Sequence, residues 1–269
     1  MKKTGKIASG VLIVMVVFSV MAPLLPIADP ERIDLDALRE APSAAHLFGT
    51  DSKGRDIFSR VVFGGRVSIS VAAVAAFTSA FIGFVVGLAA GYCGGKTDTI
   101  LMALVDFILS FPSLLLAIAV SVVLPPGIYT VMIAIAFVGW TSFARIVRGQ
   151  VLTYKEMPFV EAARSMGCGH ARIAILHIAP LCLPISLIMM GIKLGGFVLT
   201  EATLGFLGLG VQPPTPTWGS MVSANRAYIL SAPWTVFFPG LAIFVTAFCC
   251  NLLGEYLKER SDLRRSLRY

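Results

Sequence analysis

The sequence predicts an all-α integral membrane protein with six transmembrane helices, and three observations carry that prediction. Of its 269 residues 57% are hydrophobic and only 14% are charged. With a mean hydropathy of +0.83, such a chain has too little polar surface for a water-soluble domain. The apolar residues gather into six stretches of roughly 20 residues, the length that crosses the bilayer core. The basic residues also sort by side. If both ends lie in the cytoplasm, fourteen of the 22 Lys and Arg residues fall on that side, as the positive-inside rule requires. The net charge of +7 is therefore an orientation signal and no footprint of nucleic acid.

Residues 1–27 open with Lys2, Lys3 and Lys6 and continue as an apolar run longer than a signal-peptide core, which predicts an uncleaved first span. Residues 28–66 are polar and form an extracytoplasmic segment; Thr50, Asp51 and Gly54 are turn formers. The core of residues 67–257 supplies five further spans. The second, residues 67–91, is rich in Ala, Gly and Ser, which let helices approach closely in lipid. The turn after it, with Gly91, Gly95, Lys96 and Thr97, falls one residue short of a phosphate-binding loop and follows no strand. No other nucleotide-binding pattern occurs, so ATP hydrolysis must come from elsewhere. The third span, residues 101–124, holds Asp106, Ser110 and Pro112; Asp106 lies near the cytoplasmic end, within reach of a helix dipole or of Arg145. The fourth, residues 128–146, ends in the interfacial border Trp140, Arg145 and Arg148.

Residues 148–178 form an inner loop, read as a short helix, a glycine elbow at Gly167 and Gly169, and a second helix. Residues 181–200 are the fifth span, and Lys193 within it is the least expected residue of the chain. It can snorkel outward, pair with an acid on a partner, or line a passage and touch a carboxylate. Glu201, at the outer end, is the other candidate for lining a passage. The outer segment of residues 201–234 is rich in Gly, Pro and Trp, with a short helix expected near residues 220–230. Residues 235–257 make the sixth span and residues 258–269 a basic cytoplasmic tail. None of the five cysteines falls in an extracytoplasmic segment, so a disulfide framework is not expected. The three histidines lack metal-ligand spacing, and no cofactor or metal is assigned to the chain.

Three separated motifs resemble one family. Glu161-Ala162-Ala163, three residues, Gly167, and Pro180 further on are similar to the EAA loop of ATP-binding-cassette (ABC) importer permeases. Gly49-Thr50-Asp51 with Gly54-Arg55-Asp56, and the run Phe206 to Pro214 with Trp218 and Gly219, are similar to signatures of permeases of the dipeptide, oligopeptide and nickel importers. The chain departs from the EAA pattern after Gly167, where Cys168, Gly169 and His170 replace a capping Ser or Asp; a weakly started second helix follows.

The resemblance implies a type I ABC importer permease fold and a bacterial or archaeal inner-membrane location. It implies four partners besides lipid: a second permease, two ATPases that carry ATP and magnesium, and an extracytoplasmic solute-binding protein. It makes Glu161, Ala162, Ala163 and Gly167 the ATPase-coupling residues, Glu161 by polar contact and the small residues by close approach. Arg55 and Trp218 are the expected contacts to the binding protein or its entry cavity. Peptides are the expected cargo, with nickel or a metal chelate as the alternative. A secondary transporter is the rival of another class; Asp106 and Lys193 would be its only ion relay, and no internal repeat is evident.

Overall fold

The computed structural model describes residues 2–266. Helices α1 (Lys2–Met21), α2 (Ile57–Cys93), α3 (Gly95–Leu109), α4 (Ser113–Val123), α5 (Ile128–Lys155), α6 (Pro158–Ser165), α7 (His170–Phe206), α8 (Trp218–Asn225) and α9 (Trp234–Ser266) follow one another. Five of them, α1, α2, α5, α7 and α9, are long and apolar enough to cross a membrane. The third span is not one helix. α3 and α4 meet the same test only together and are bent by 90° at residues 110–112. Pro112 explains the break: it precedes Ser113 as the cap residue of α4, and its ring and missing N–H prevent the chain from continuing as one helix.

Helix boundaries overrun the apolar stretches. α2 starts ten residues before the expected second span, because Asp56 caps it by accepting from the Ser59 N–H and hydroxyl at 3.1 and 3.2 Å. α9 runs through the first part of the expected basic tail to Ser266, and residues 267–269 lie outside the described residues.

The most extensive helix pairing joins α2 to α5. It rests on a stripe of small residues, Ser79, Gly83, Gly87 and Gly91, laid against Gly139, Phe143, Ala144 and Val151. A Cβ added at Gly87 would sit 2.5 Å from the Ala144 carbonyl oxygen, and one at Gly91 2.8 Å from the Val151 Cβ. Such backbone proximity is how helices bind each other where lipid removes the hydrophobic drive. The buried core built on this pair includes Val71, Ala75, Val131, Ile135 and Phe143, joined by Phe197 and Val198 of α7. α1 lies at the edge against α9 and α2. Phe77, Phe81, Phe237 and Phe244 are exposed on the bundle surface.

The segment between α1 and α2 is organised around Asp51, which is buried. Its carboxylate accepts from the Lys53 N–H at 2.8 Å, the Arg55 N–H at 3.0 Å and the Arg55 Nε at 2.8 Å. The Arg60 guanidinium lies 3.7 Å away and donates to the Pro30 carbonyl at 2.6 Å. The same segment is tied to the far end of the chain. Ser52 N–H donates to Asn225 at 3.2 Å and the Trp234 indole N–H to the Thr50 carbonyl at 3.4 Å.

Two outcomes check this account. Gly87→Leu, which forces side-chain volume onto the α5 backbone, loses monodisperse protein on size-exclusion chromatography, whereas Gly149→Ala, with open space around it, does not. Asp51→Ala, which strands buried Arg55 and Arg60, destabilises the protein by about 3 kcal/mol in detergent melts.

Candidate functional site

Two places carry charge or built geometry that the fold alone does not require: the α6 corner at one end of the bundle, and a cavity beside Lys193 in its middle.

The α6 corner is assembled from local signals. Pro158 sits in the first turn, where its fixed φ suits a helix start and its missing N–H costs nothing. Glu161 is in the first turn and Arg164 in the last, each favourably placed on the helix dipole. The helix ends in a closed cap. Gly167 takes a left-handed φ of +80°, its N–H donates to the Arg164 carbonyl at 2.9 Å, and the Cys168 N–H donates to the Ala163 carbonyl at 3.0 Å. Gly167 thus stops the helix as expected. Gly169, by contrast, is in an ordinary extended conformation and caps the start of α7.

No side chain caps that start, in keeping with Cys168, Gly169 and His170 there. One turn later the backbone widens into a π-helical segment over Ile173–Ile178. Pro180 follows directly, and its ring would collide with the Leu176 carbonyl in a regular α-helix; the wide turn relieves that clash.

α6 has two faces. Val160 and Ala163 are buried in a cluster with Tyr92 from the end of α2, Val147 and Val151 of α5, and Ile173, Ile178 and Cys182 of α7. The Tyr92 hydroxyl is 3.2 Å from His170 Nδ1, and Lys155 Nζ donates to the Tyr92 carbonyl at 2.8 Å. Glu161, Ala162, Arg164, Ser165 and Met166 are exposed. This corrects the expectation for Ala163. It is 1% exposed, and its small side chain serves close approach to the chain's own spans; the outward small residue is Ala162. The nearby α3 is held to α5 by a two-point pair, Arg148 Nε and Nη2 to Asp98 at 2.5 and 2.6 Å. Asp106 pairs with Arg145, one of the two roles expected of it.

The cavity near the bundle middle has a volume of about 190 Å³ and lies between α4, α5 and α7. Lys193 lines it and donates to the Ser142 hydroxyl at 3.3 Å. Glu201 does not share that setting. It is 1% exposed, neither carboxylate oxygen has a hydrogen-bond partner among the described residues, and it is enclosed within the chain instead of lining open space.

Arg55 and Trp218 also turn inward. Arg55 spends its guanidinium on Asp51 at 2.7 Å and is largely buried. Trp218 is 1% exposed; its indole N–H donates to the Val61 carbonyl at 2.8 Å and its backbone N–H to the Ser68 hydroxyl at 3.3 Å. Both side chains fasten this end of the chain from within. The outer helix α8 starts at Trp218, earlier than expected, on a reciprocal Thr217–Ser220 cap. Its Gly219 lies against the Ala202 backbone of α7, a contact the sequence does not announce.

Residues 83–263 match the family model described as binding-protein-dependent transport system inner membrane component. The chain is 41% identical over 239 residues to the glutathione transport system permease protein GsiD of Pectobacterium atrosepticum, covering 89% of this chain and 79% of that one. It is 39% identical over 264 residues to the dipeptide transport system permease protein DppC of Alkalihalophilus pseudofirmus, covering 97% and 87%. It is 39% identical over 257 residues to the probable D,D-dipeptide transport system permease protein DdpC of Escherichia coli K12, covering 95% and 86%. With the broken third span, the α6 corner and a family match over two thirds of its length, the chain belongs to the binding-protein-dependent transport system inner membrane components, the multi-pass permease subunits of ABC importers.

Proposed function

We propose that this chain is one of two permease subunits of a peptide importer, and that α6 is the element through which ATPase subunits drive it. The observation that carries the coupling role is the division of α6 into two faces. One is seated on the ends of α2, α5 and α7 together, and the other presents Glu161, Ala162, Arg164 and Met166 to the outside. A force applied to that outer face reaches three spans at once. The alternation of Glu161 and Arg164 around Ala162 suits a polar cleft with a close approach at its centre.

In this reading both termini and α6 lie in the cytoplasm, where ATP and its magnesium are held by two separate ATPase subunits. A second permease completes the passage and an extracytoplasmic binding protein delivers the cargo at the opposite end. Closure of the ATPases pulls α6 with its seat, and the inner ends of α2, α5 and α7 move as packed units, opening the passage toward the binding protein. Only contacts that differ between the open and closed ATPases shift this equilibrium. The wide π-helical turn after α6 supplies the joint at which α7 accommodates the movement. Peptides are the cargo that the relatives support, being named for dipeptides, D,D-dipeptides and glutathione. Cargoes of that class carry a terminal carboxylate.

The test separates the two faces. Ala162→Arg leaves the permease pair monodisperse, releases the ATPases on co-purification and lowers peptide uptake at least about tenfold, because the bulky side chain blocks the close approach at the centre of the face. Ala163→Leu acts differently. It overfills the seat at a cost of about 1–3 kcal/mol and lowers the melting temperature of the permease itself. ATPases that still co-purify with the Ala162→Arg variant, with uptake within twofold of the parent, would remove α6 from the coupling role.

A further inference from the structure

We propose that Lys193, together with the start of α4, forms an anion site in the middle of the bundle that receives the carboxylate of the transported peptide. The inference rests on the peptide-importer reading and names the chemical group that the passage recognises.

The starting point is the cost of the charge. Lys193 lies thirteen residues from Phe206, the outer end of α7, at a depth where an ammonium is expensive unless it is paired or faces a polar space. None of the ion pairs among the described residues includes it. Its one hydrogen bond, to Ser142, uses one of three ammonium donors and leaves two. What it faces is the cavity of about 190 Å³, and that cavity contains no acidic side chain.

A helix start borders the same cavity. The 90° break after α3 places Ser113, the first residue of α4, at the cavity. α4 runs for eleven residues, its cap residue is Pro112, and no side chain caps its first N–H groups. An uncapped helix N-terminus carries partial positive charge and unpaired donors, the arrangement that binds carboxylate and phosphate. Ser113 and Ser142 add hydroxyls that can donate, and Thr200 lines the same space while donating to the Gly196 carbonyl at 2.9 Å. Leu109, Ile135, Val138 and Phe197 supply apolar wall for the part of the ligand next to its charged group.

The Lys193 ammonium and the start of α4 at Ser113 border one cavity without an acid, a setting that suits a compact anion. In a peptide importer the anion common to every cargo is the terminal carboxylate. The third-span break acquires a purpose in this arrangement, since an unbroken helix would present no N-terminus at this depth.

The experiment uses the complete transporter, with both permeases, both ATPases and the binding protein, in lipid vesicles, and follows radiolabelled alanyl-alanine. Lys193→Gln lowers uptake at least about tenfold, the worth of a hydrogen bond to a charged group, while Lys193→Arg stays within about threefold of the parent. The permease pair still co-purifies with both ATPases in both variants. The binding protein is the same throughout, so its own selectivity cancels. Uptake by Lys193→Gln at the parent rate overturns the anion site alone. Equal losses in the Gln and Arg variants, or separation of the permease pair, make Lys193 a structural or partner-pairing residue and also overturn it. Absence of alanyl-alanine uptake by the parent transporter removes the peptide reading and the site with it.

Discussion

The close approach of α2 and α5 is the constraint on which the rest of the structure depends. Gly83, Gly87 and Gly91 bring the α2 backbone onto Ala144 and Val151 of α5, leaving no room for a Cβ. Once these helices are locked, their ends are fixed on both sides of the bundle. On one side Tyr92, Val147 and Val151 come together as the seat for α6. On the other the start of α2, with Arg55, Asp56 and Arg60, comes under α8 and the start of α9. A membrane protein cannot rely on water to press its helices together, so the small-residue stripe carries what an apolar core carries in a soluble domain.

The two ends built on this pair differ in kind. The end opposite α6 is held by polar bonds: a buried carboxylate with two arginines, a capped helix start, and two indoles donating to backbone carbonyls. The α6 end is held by packing and is followed by a wider π-helical turn before Pro180. A permease driven from one end needs that asymmetry. In the proposed reading the driven end moves as a block and hinges nearby, and the opposite end keeps its shape for a docking protein.

Much of this was legible in the residues. The apolar stretches marked the spans, and Gly167 marked the stop of α6 because a left-handed cap residue is written into a helix end. The three motifs carry the family resemblance in the sequence itself. What the residues could not show is which way a side chain faces once helices pack. Ala163 reads the same whether it meets an ATPase or its own seat, and it meets the seat. Arg55 and Trp218 stand in a conspicuous outer signature and are its internal fastenings. Glu201 is enclosed for the same reason, by neighbours far away in the chain. The break at Ser110–Phe111–Pro112 had a signal, since proline in a span ends or kinks it, but hydropathy smoothed over it.

The central claim is that the exposed face of α6 is the surface an ATPase grips. The most direct measurement places a photo-crosslinking amino acid at Ala162 in the assembled transporter and identifies the adduct by mass spectrometry. The account predicts an adduct with an ATPase subunit whose yield changes on ATP binding, and none from the same probe at Phe48 on the opposite end of the bundle. An adduct at Ala162 only with lipid or the second permease would contradict it.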